Sequence, residues 1–188
     1  MPATLKEVVF NWNFTPATPE QIGSADGILT QSWSRRADGK PGRGNVELAR
    51  IAAQMWKQNH APIIPQEEVS WVLKERNIPC AFVAGGSSDG RSTLAWDTWA
   101  VAKAHVGYCR EMRIRRPILV AHPLHMNRAL WSYRRLGLDV LPAPVSWELE
   151  KYQDPGLVHP GMQSMEVLPR WILREKIIRL GYWGFGRV

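Results

Sequence analysis

The amino-acid sequence predicts an α/β fold with a mainly parallel, five-stranded sheet, and three observations predict it. From Gly27 onward, short apolar or β-branched runs alternate with longer segments of helical period, the signature of βαβ units. Glycine and proline are spread along the chain, where they punctuate those runs. The 188 residues, 45% apolar and 22% charged, suit a single domain (1–188) around one core and exclude disordered and fibrous classes.

The elements follow in order. Residues 1–26 form an N-terminal arm, with residues 8–14 either an edge strand or a strap over the core. Ile28, Leu29 and Thr30 make the first strand, and the polar, glycine-dotted residues 34–44 form a loop long enough to be functional. Asn45 is placed to cap the next helix, whose Val46, Ala49, Ile51, Ala52, Ala53 and Met55 make a wide inner face. Residues 61–65 are the second strand, and residues 67–77 a helix with Val69, Val72 and Leu73 at three- and four-residue spacing. Pro79 opens a third strand over Cys80, Ala81, Phe82 and Val83. Residues 85–90 are a flexible Gly-Gly-Ser-Ser-Asp-Gly loop at its carboxyl end, where open α/β sheets bind ligands. A long helix covers residues 92–112, and Pro117, Ile118, Leu119, Val120 and Ala121 form the fourth strand. Residues 124–136 are a helix closed by Gly137, and residues 138–141 the fifth strand, ended by Pro142 and Pro144. A final helix over residues 162–182 docks back on the sheet.

No uncharged apolar run approaches the roughly 20 residues of a membrane-spanning helix. Residues 1–10 lack the basic-then-apolar order of a signal peptide, so a cytoplasmic location is expected by default. Cys80 and Cys109 read as small buried hydrophobes in a reducing compartment. Two oddities remain: a formal charge of +7, from 24 basic minus 17 acidic residues, and 10 Trp against 4 Tyr and 4 Phe.

The chemistry is densest in residues 120–129. His122, His125, Asn127 and Arg128 stand at the carboxyl end of the fourth strand and on the first turn of the helix after it. A helix N-terminus offers free N–H groups and partial positive charge, so with Arg128 this corner favours a phosphate or carboxylate, and His125 suits a donor or general acid/base. An equally simple reading has His122 cap the strand end, His125 cap the helix and Arg128 pair with a carboxylate; the residues alone leave both open. His122 and His125 also spell H-x-x-H, but no carboxylate or thiolate nearby completes a zinc shell, Asp89 and Asp97 being distant in sequence, and no metal is assigned.

Further ligand contacts are expected from Ser32 and Trp33 after the first strand and from Ser87, Ser88 and Asp89 in the glycine loop. Trp96, Asp97 and Thr98, near the start of the long helix, complete the set. An indole face at Trp33 or Trp96 would stack on a flat ring or a cation. Trp56, Trp71, Trp131 and Trp171 lie at helical spacing among apolar neighbours and read as packing. There is no G-x-S-x-G, G-x-G-x-x-G or Walker loop, so serine hydrolase, standard dinucleotide and P-loop mechanisms lack their signatures. Gly39-Lys40-Pro41-Gly42-Arg43-Gly44 is glycine-rich and basic; it fits none of them, and its composition leaves room for a flexible lid over an anion.

The run Leu119-Val120, then His125-Met126-x-Arg128-Ala129, resembles the strand and His-Met-x-Arg-Ala motif of the YdcF/SanA/ElyC-like family, grouped as domain of unknown function 218. Gly137-Leu138-Asp139-Val140-Leu141-Pro142 is similar to its G-x-x-V-x-P strand. Asp97-Thr98 resembles the start of its N-T-x-E-N element, and residues 168–182 its closing helix, so the resemblance spans residues 25–182. It implies a Rossmann-like, three-layer fold with helices on both faces, a site at the carboxyl edge, and a nucleotide-like ligand, S-adenosylmethionine being the candidate. Carried over by position, His125 and Arg128 match best, then Thr98, then Asn45 and Arg50 in the first helix. The chain departs where the family has Ser-Gly-Gly (here Gln66-Glu67-Glu68), Glu-Asn (Ala100-Val101) and a glycine-rich end of strand one (Gln31-Ser32-Trp33). A cradle of glycine amides is thereby weakened, and a divergent member with a changed ligand is expected.

Two function classes follow. One is a cytoplasmic enzyme or ligand-binding protein for an anionic, nucleotide-like small molecule, with the choice between transferase and hydrolase open. The other is a non-catalytic basic module for nucleic acid or an anionic membrane surface, drawn from the clusters Arg35-Arg36, Arg113 to Arg116, Arg134-Arg135 and the basic last helix.

Overall fold

The computed structural model describes residues 4–33, 35–85, 97–158, 163–166 and 168–187. The chain is α/β, with β1 (Gly27–Thr30), β2 (Ile63–Pro65), β3 (Pro117–Val120) and β4 (Leu141–Pro142) forming a parallel sheet in the order β2-β1-β3-β4. Its register pairs Ile28 with Ile63 and Ile118, and Ile118 with Leu141. Every residue of β1, β2 and β3 is buried, as parallel strands covered on both faces require. Ile28, Leu29, Ile63, Ile64, Ile118 and Leu119 are withdrawn completely from water, each contributing about 1.5–3 kcal/mol.

The sheet has four strands where five were expected. Residues 81–84 do run beside β2, with Ala81 N donating to Ile63 O at 2.8 Å and Ala84 N to Pro65 O at 2.9 Å. Only the single bridge Gln66–Ala84 forms, because Pro65 has no N–H with which to continue the ladder. The expected fifth strand is present as β4, two residues long and shifted toward Pro142.

Among the described residues, seven helices accompany the sheet: α1 (Leu5–Phe10), α2 (Pro19–Gly23), α3 (Arg43–Asn59), α4 (Glu67–Glu75), α5 (Thr98–Glu111), α6 (Pro123–Arg135) and α7 (Leu168–Gly184). A 3-10 turn spans Leu149–Tyr152. α3 packs on α4 and β1, α5 on α6, and α1 on α7. Asn45 does not cap α3. The helix starts earlier, with Gly42 as its N-cap, where a Cβ would lie 2.4 Å from Leu157 Cδ2. α5 starts at Thr98, later than expected, with the Asp97 carboxylate accepting from Ala100 N at 2.6 Å. α6 ends before Gly137, whose φ of +80° turns the chain as expected. α7 starts at Leu168, later than the expected 162, consistent with Pro169, which fits only a first turn.

The N-terminal segment is a strap, not an edge strand. α1 lies on α7, and the carbonyls of Asn11 and Asn13 accept from Asn127 Nδ2 of α6 at 2.8 and 3.1 Å. Both cysteines are free thiols: Cys109 is buried, which pushes its pKa up to about 12, and Cys80 is half-buried. Among the described residues, no helix is long and apolar enough to cross a membrane.

Candidate functional site

The strand order reverses between β1 and β3, and the carboxyl ends of those two strands carry most of the expected site residues. Beyond β1, Gln31 N donates to Val120 O, which keeps the two strands together one residue past their ladder. Trp33 N then donates to Asn45 Oδ1 at 2.7 Å, so a buried amide in the first turn of α3 sets the path of the chain after β1. Gly44 makes room for the indole, since a Cβ there would lie 2.5 Å from Trp33 Cδ1.

Beyond β3, His122 is the N-cap of α6. Its Nδ1 accepts from Leu124 N at 3.2 Å, which assigns the ring proton to Nε2. The ring stacks on Trp33, centroids 3.3 Å apart and planes 10° from parallel, while Tyr152 and Trp171 meet the pair edge-on or tilted. Burial pushes His122 well below the ordinary histidine value, so it is neutral at pH 7. Four polar atoms at these strand ends are buried with no hydrogen-bond partner among the described residues: Thr30 Oγ1, Gln31 Oε1, Trp33 Nε1 and His122 Nε2. Buried polar groups are nearly always paired, so these four stand out against the rest of the sheet.

His125, Thr98 and Arg128 form a second cluster beside the first. Arg128 donates to Thr98 Oγ1; as a guanidinium can only donate, the Thr98 hydroxyl proton is left for His125 Nε2, 2.8 Å away. Burial, then the Arg128 charge, hold His125 well below the usual value, and it is a neutral acceptor here. Arg128 is not free. It grips Glu175 of α7 with two parallel bonds, Nε to Oε1 at 2.7 Å and Nη2 to Oε2 at 3.0 Å. Burial opposes its charge, but the Glu175 carboxylate outweighs that and holds the guanidinium more firmly protonated than usual. Glu175 also accepts from Arg179 Nε at 3.2 Å, and Arg179 reaches on to the carbonyls of Asn11 and Leu124.

Of the residues nominated from the sequence, the structure brings Trp33, Asn45 and His122 together in one cluster and Thr98, His125 and Arg128 in another. Ser32 sits between strand ends, its N–H held by Gln66 Oε1 at 2.9 Å. Asn127 points instead to the N-terminal strap, and Asp97 is exposed and paired with Arg187 at 3.1 Å. Arg50 lies on the outer face of α3 with Glu47. Ser87, Ser88, Asp89 and Trp96 lie outside the described residues. The expected basic lid, residues 39–44, is a turn closed by Gly39 N to Arg36 O and anchored through Arg43 N on the buried Asp154 carboxylate.

Residues not anticipated include Gln31, Tyr133, His105 and Glu175. Gln31 Nε2 donates to the Tyr133 hydroxyl at 3.1 Å, and that hydroxyl lies 2.6 Å from His105 Nδ1; burial pushes His105 down to about 3. Glu175 carried one signal, as the lone acid among the basic residues of the last helix. Trp171 packs, as its spacing indicated, and its partner is the Trp33 indole.

The chain matches no protein-family model, no curated protein and no solved structure.

Proposed function

We propose that the chain is an enzyme or ligand-binding protein for an anionic, nucleotide-like small molecule, held at the carboxyl edge of the sheet. In this reading it is a divergent, Rossmann-like relative of the YdcF/SanA/ElyC-like proteins. Right-handed crossovers then set α3 and α4 on one face and α5 and α6 on the other, with residues 81–84 as a vestigial fifth strand.

The observation that carries the reading is the group of unpartnered buried atoms at the strand reversal. Trp33 Nε1 and His122 Nε2 both bear hydrogens, and the N-terminus of α6 adds positive potential, so the complementary guest presents acceptors and negative charge. The neutral His125 with Thr98 and Arg128 supports a proton-transfer or anchoring role next to it. S-adenosylmethionine is matched only in part. Its carboxylate suits these donors, but Trp33 is buried with one face stacked on His122 and Trp171 tilted against it, so the indole is not open to an adenine ring.

Isothermal titration with S-adenosylmethionine, nucleoside mono- and triphosphates and inorganic phosphate tests the reading. Binding of at least one is expected, weakened about tenfold by His122→Phe, which keeps the stacked ring and removes one donor worth about 1.4 kcal/mol. His125→Ala is expected to abolish any turnover. No heat with any of these ligands, or equal binding by His122→Phe, overturns it.

A further inference from the structure

α7 is inside out for a helix in water. Its inward face carries Glu175 and Arg179, both buried in the ion-pair network, together with Leu168, Trp171 and Tyr182. Its outward face carries Leu173, Ile177 and Leu180, spaced four and three residues apart and therefore one continuous ridge, at 61%, 61% and 42% exposure. Trp183 and Phe185 extend the ridge toward its C-terminal end, and Phe10 of the packed α1 lies beside it under Lys176. Half of the large apolar side chains exposed among the described residues belong to this one side of the molecule. Such a concentration on a soluble surface marks a docking face.

The charge around the ridge selects the partner. Arg170 and Arg174 flank it on one shoulder and Lys176 on the other, at helical positions from which long basic side chains can cover apolar surface and still reach outward. The one acid within α7, Glu175, is turned inward and consumed by Arg128 and Arg179. An apolar crest with basic shoulders, a tryptophan at the margin and no exposed acid within α7 combines apolar contact with positive charge, as seating in the headgroup layer of an anionic bilayer requires. A second copy of the chain fits it less well. Antiparallel pairing of two such ridges centres on residues 176 and 177, so the two Lys176 ammonium groups would oppose each other.

We propose that the outer face of α7, with α1 beside it, is a membrane-surface docking face that seats the protein on anionic lipid without spanning the bilayer. The face is separate from the sheet edge, so it does not depend on the small-molecule reading. The experiment is flotation of the full chain with phosphatidylcholine vesicles containing about one-quarter phosphatidylglycerol, against pure phosphatidylcholine. Expected is flotation with the anionic vesicles alone, reduced about tenfold or more by Leu173→Ser with Ile177→Ser, and reduced likewise by Arg170→Gln with Arg174→Gln or by about 0.5 M salt. All four positions are exposed, so the variants are expected to keep the wild-type circular dichroism and melting profile. No flotation by the wild-type chain, or flotation indifferent to both double variants, overturns the proposal. So does a concentration-dependent dimer in sedimentation equilibrium that Ile177→Ser dissociates while lipid binding stays absent.

Discussion

Replacing Glu175 by glutamine tests the part of the structure on which both ends of the chain converge. The carboxylate is 1% exposed and accepts three charge-assisted bonds, two from Arg128 and one from Arg179. Glutamine keeps the shape, but one oxygen becomes an NH2 aimed at a guanidinium, and the negative charge that offsets two buried cations is gone. Breaking a buried ion pair from one side typically costs about 3–5 kcal/mol, because the remaining charge is left desolvated. With a urea slope of roughly 2 kcal/mol per molar, Glu175→Gln should lower the unfolding midpoint by about 1.5–2.5 M. Glu148→Gln, which removes an exposed pair with Lys151, should move it by less than about 0.5 M. If the two substitutions give equal small shifts, α7 is not seated on Arg128 as described.

Two further outcomes concern the buried histidines and Gly44. His105, His122 and His125 are buried with depressed pKa values, so below about pH 6.5 the unfolded chain binds protons that the folded chain refuses, and stability falls as pH falls. Each contributes a loss of about 1.4 kcal/mol between about pH 7.5 and 5.5, roughly 4 kcal/mol together; urea titrations at the two values check it, and a flat response refutes it. Gly44→Ala forces a methyl to 2.5 Å from Trp33 Cδ1 and should cost about 1–3 kcal/mol with a shift in tryptophan emission, read by thermal melting and fluorescence; an unchanged melt and spectrum would dissociate Trp33 from α3.

The elements most legible in the sequence were those set by local chemistry. The apolar run Pro117–Val120, the glycine after α6 and the periodic face of α3 each carry their own signal, and each is present with boundaries within a few residues. The third strand failed because the cause lay on its partner: Pro65 withholds the donor that residues 81–84 need, and pairing is a property of two segments. Asn45 was misread for a similar reason. An asparagine ahead of an apolar run resembles a cap, but the helix starts from Gly42, where Leu157 leaves no room for a side chain, and the Asn45 amide accepts from Trp33 N instead. The histidine corner was legible as a constellation, and the open choice at Arg128 is decided by Glu175, which lies 47 residues away in the chain. The +7 charge is not consumed by these pairs: Arg36 with Asp154, and Arg128 and Arg179 with Glu175, together hold one net positive charge, so most of the excess lies elsewhere in the chain.

The bond from Arg128 to Glu175 also imposes an order in time. Every strand of the sheet precedes α7 in the chain, so a growing polypeptide has the residues for the β1–β3 reversal, with His122 and His125 in it, well before Glu175 exists. Until Glu175 is in place, burying the Arg128 guanidinium would leave a desolvated charge unpaired, a costly state. The last helix is therefore what makes burial of the corner with the candidate chemistry affordable, and a chain cut short before Glu175 would lack that carboxylate.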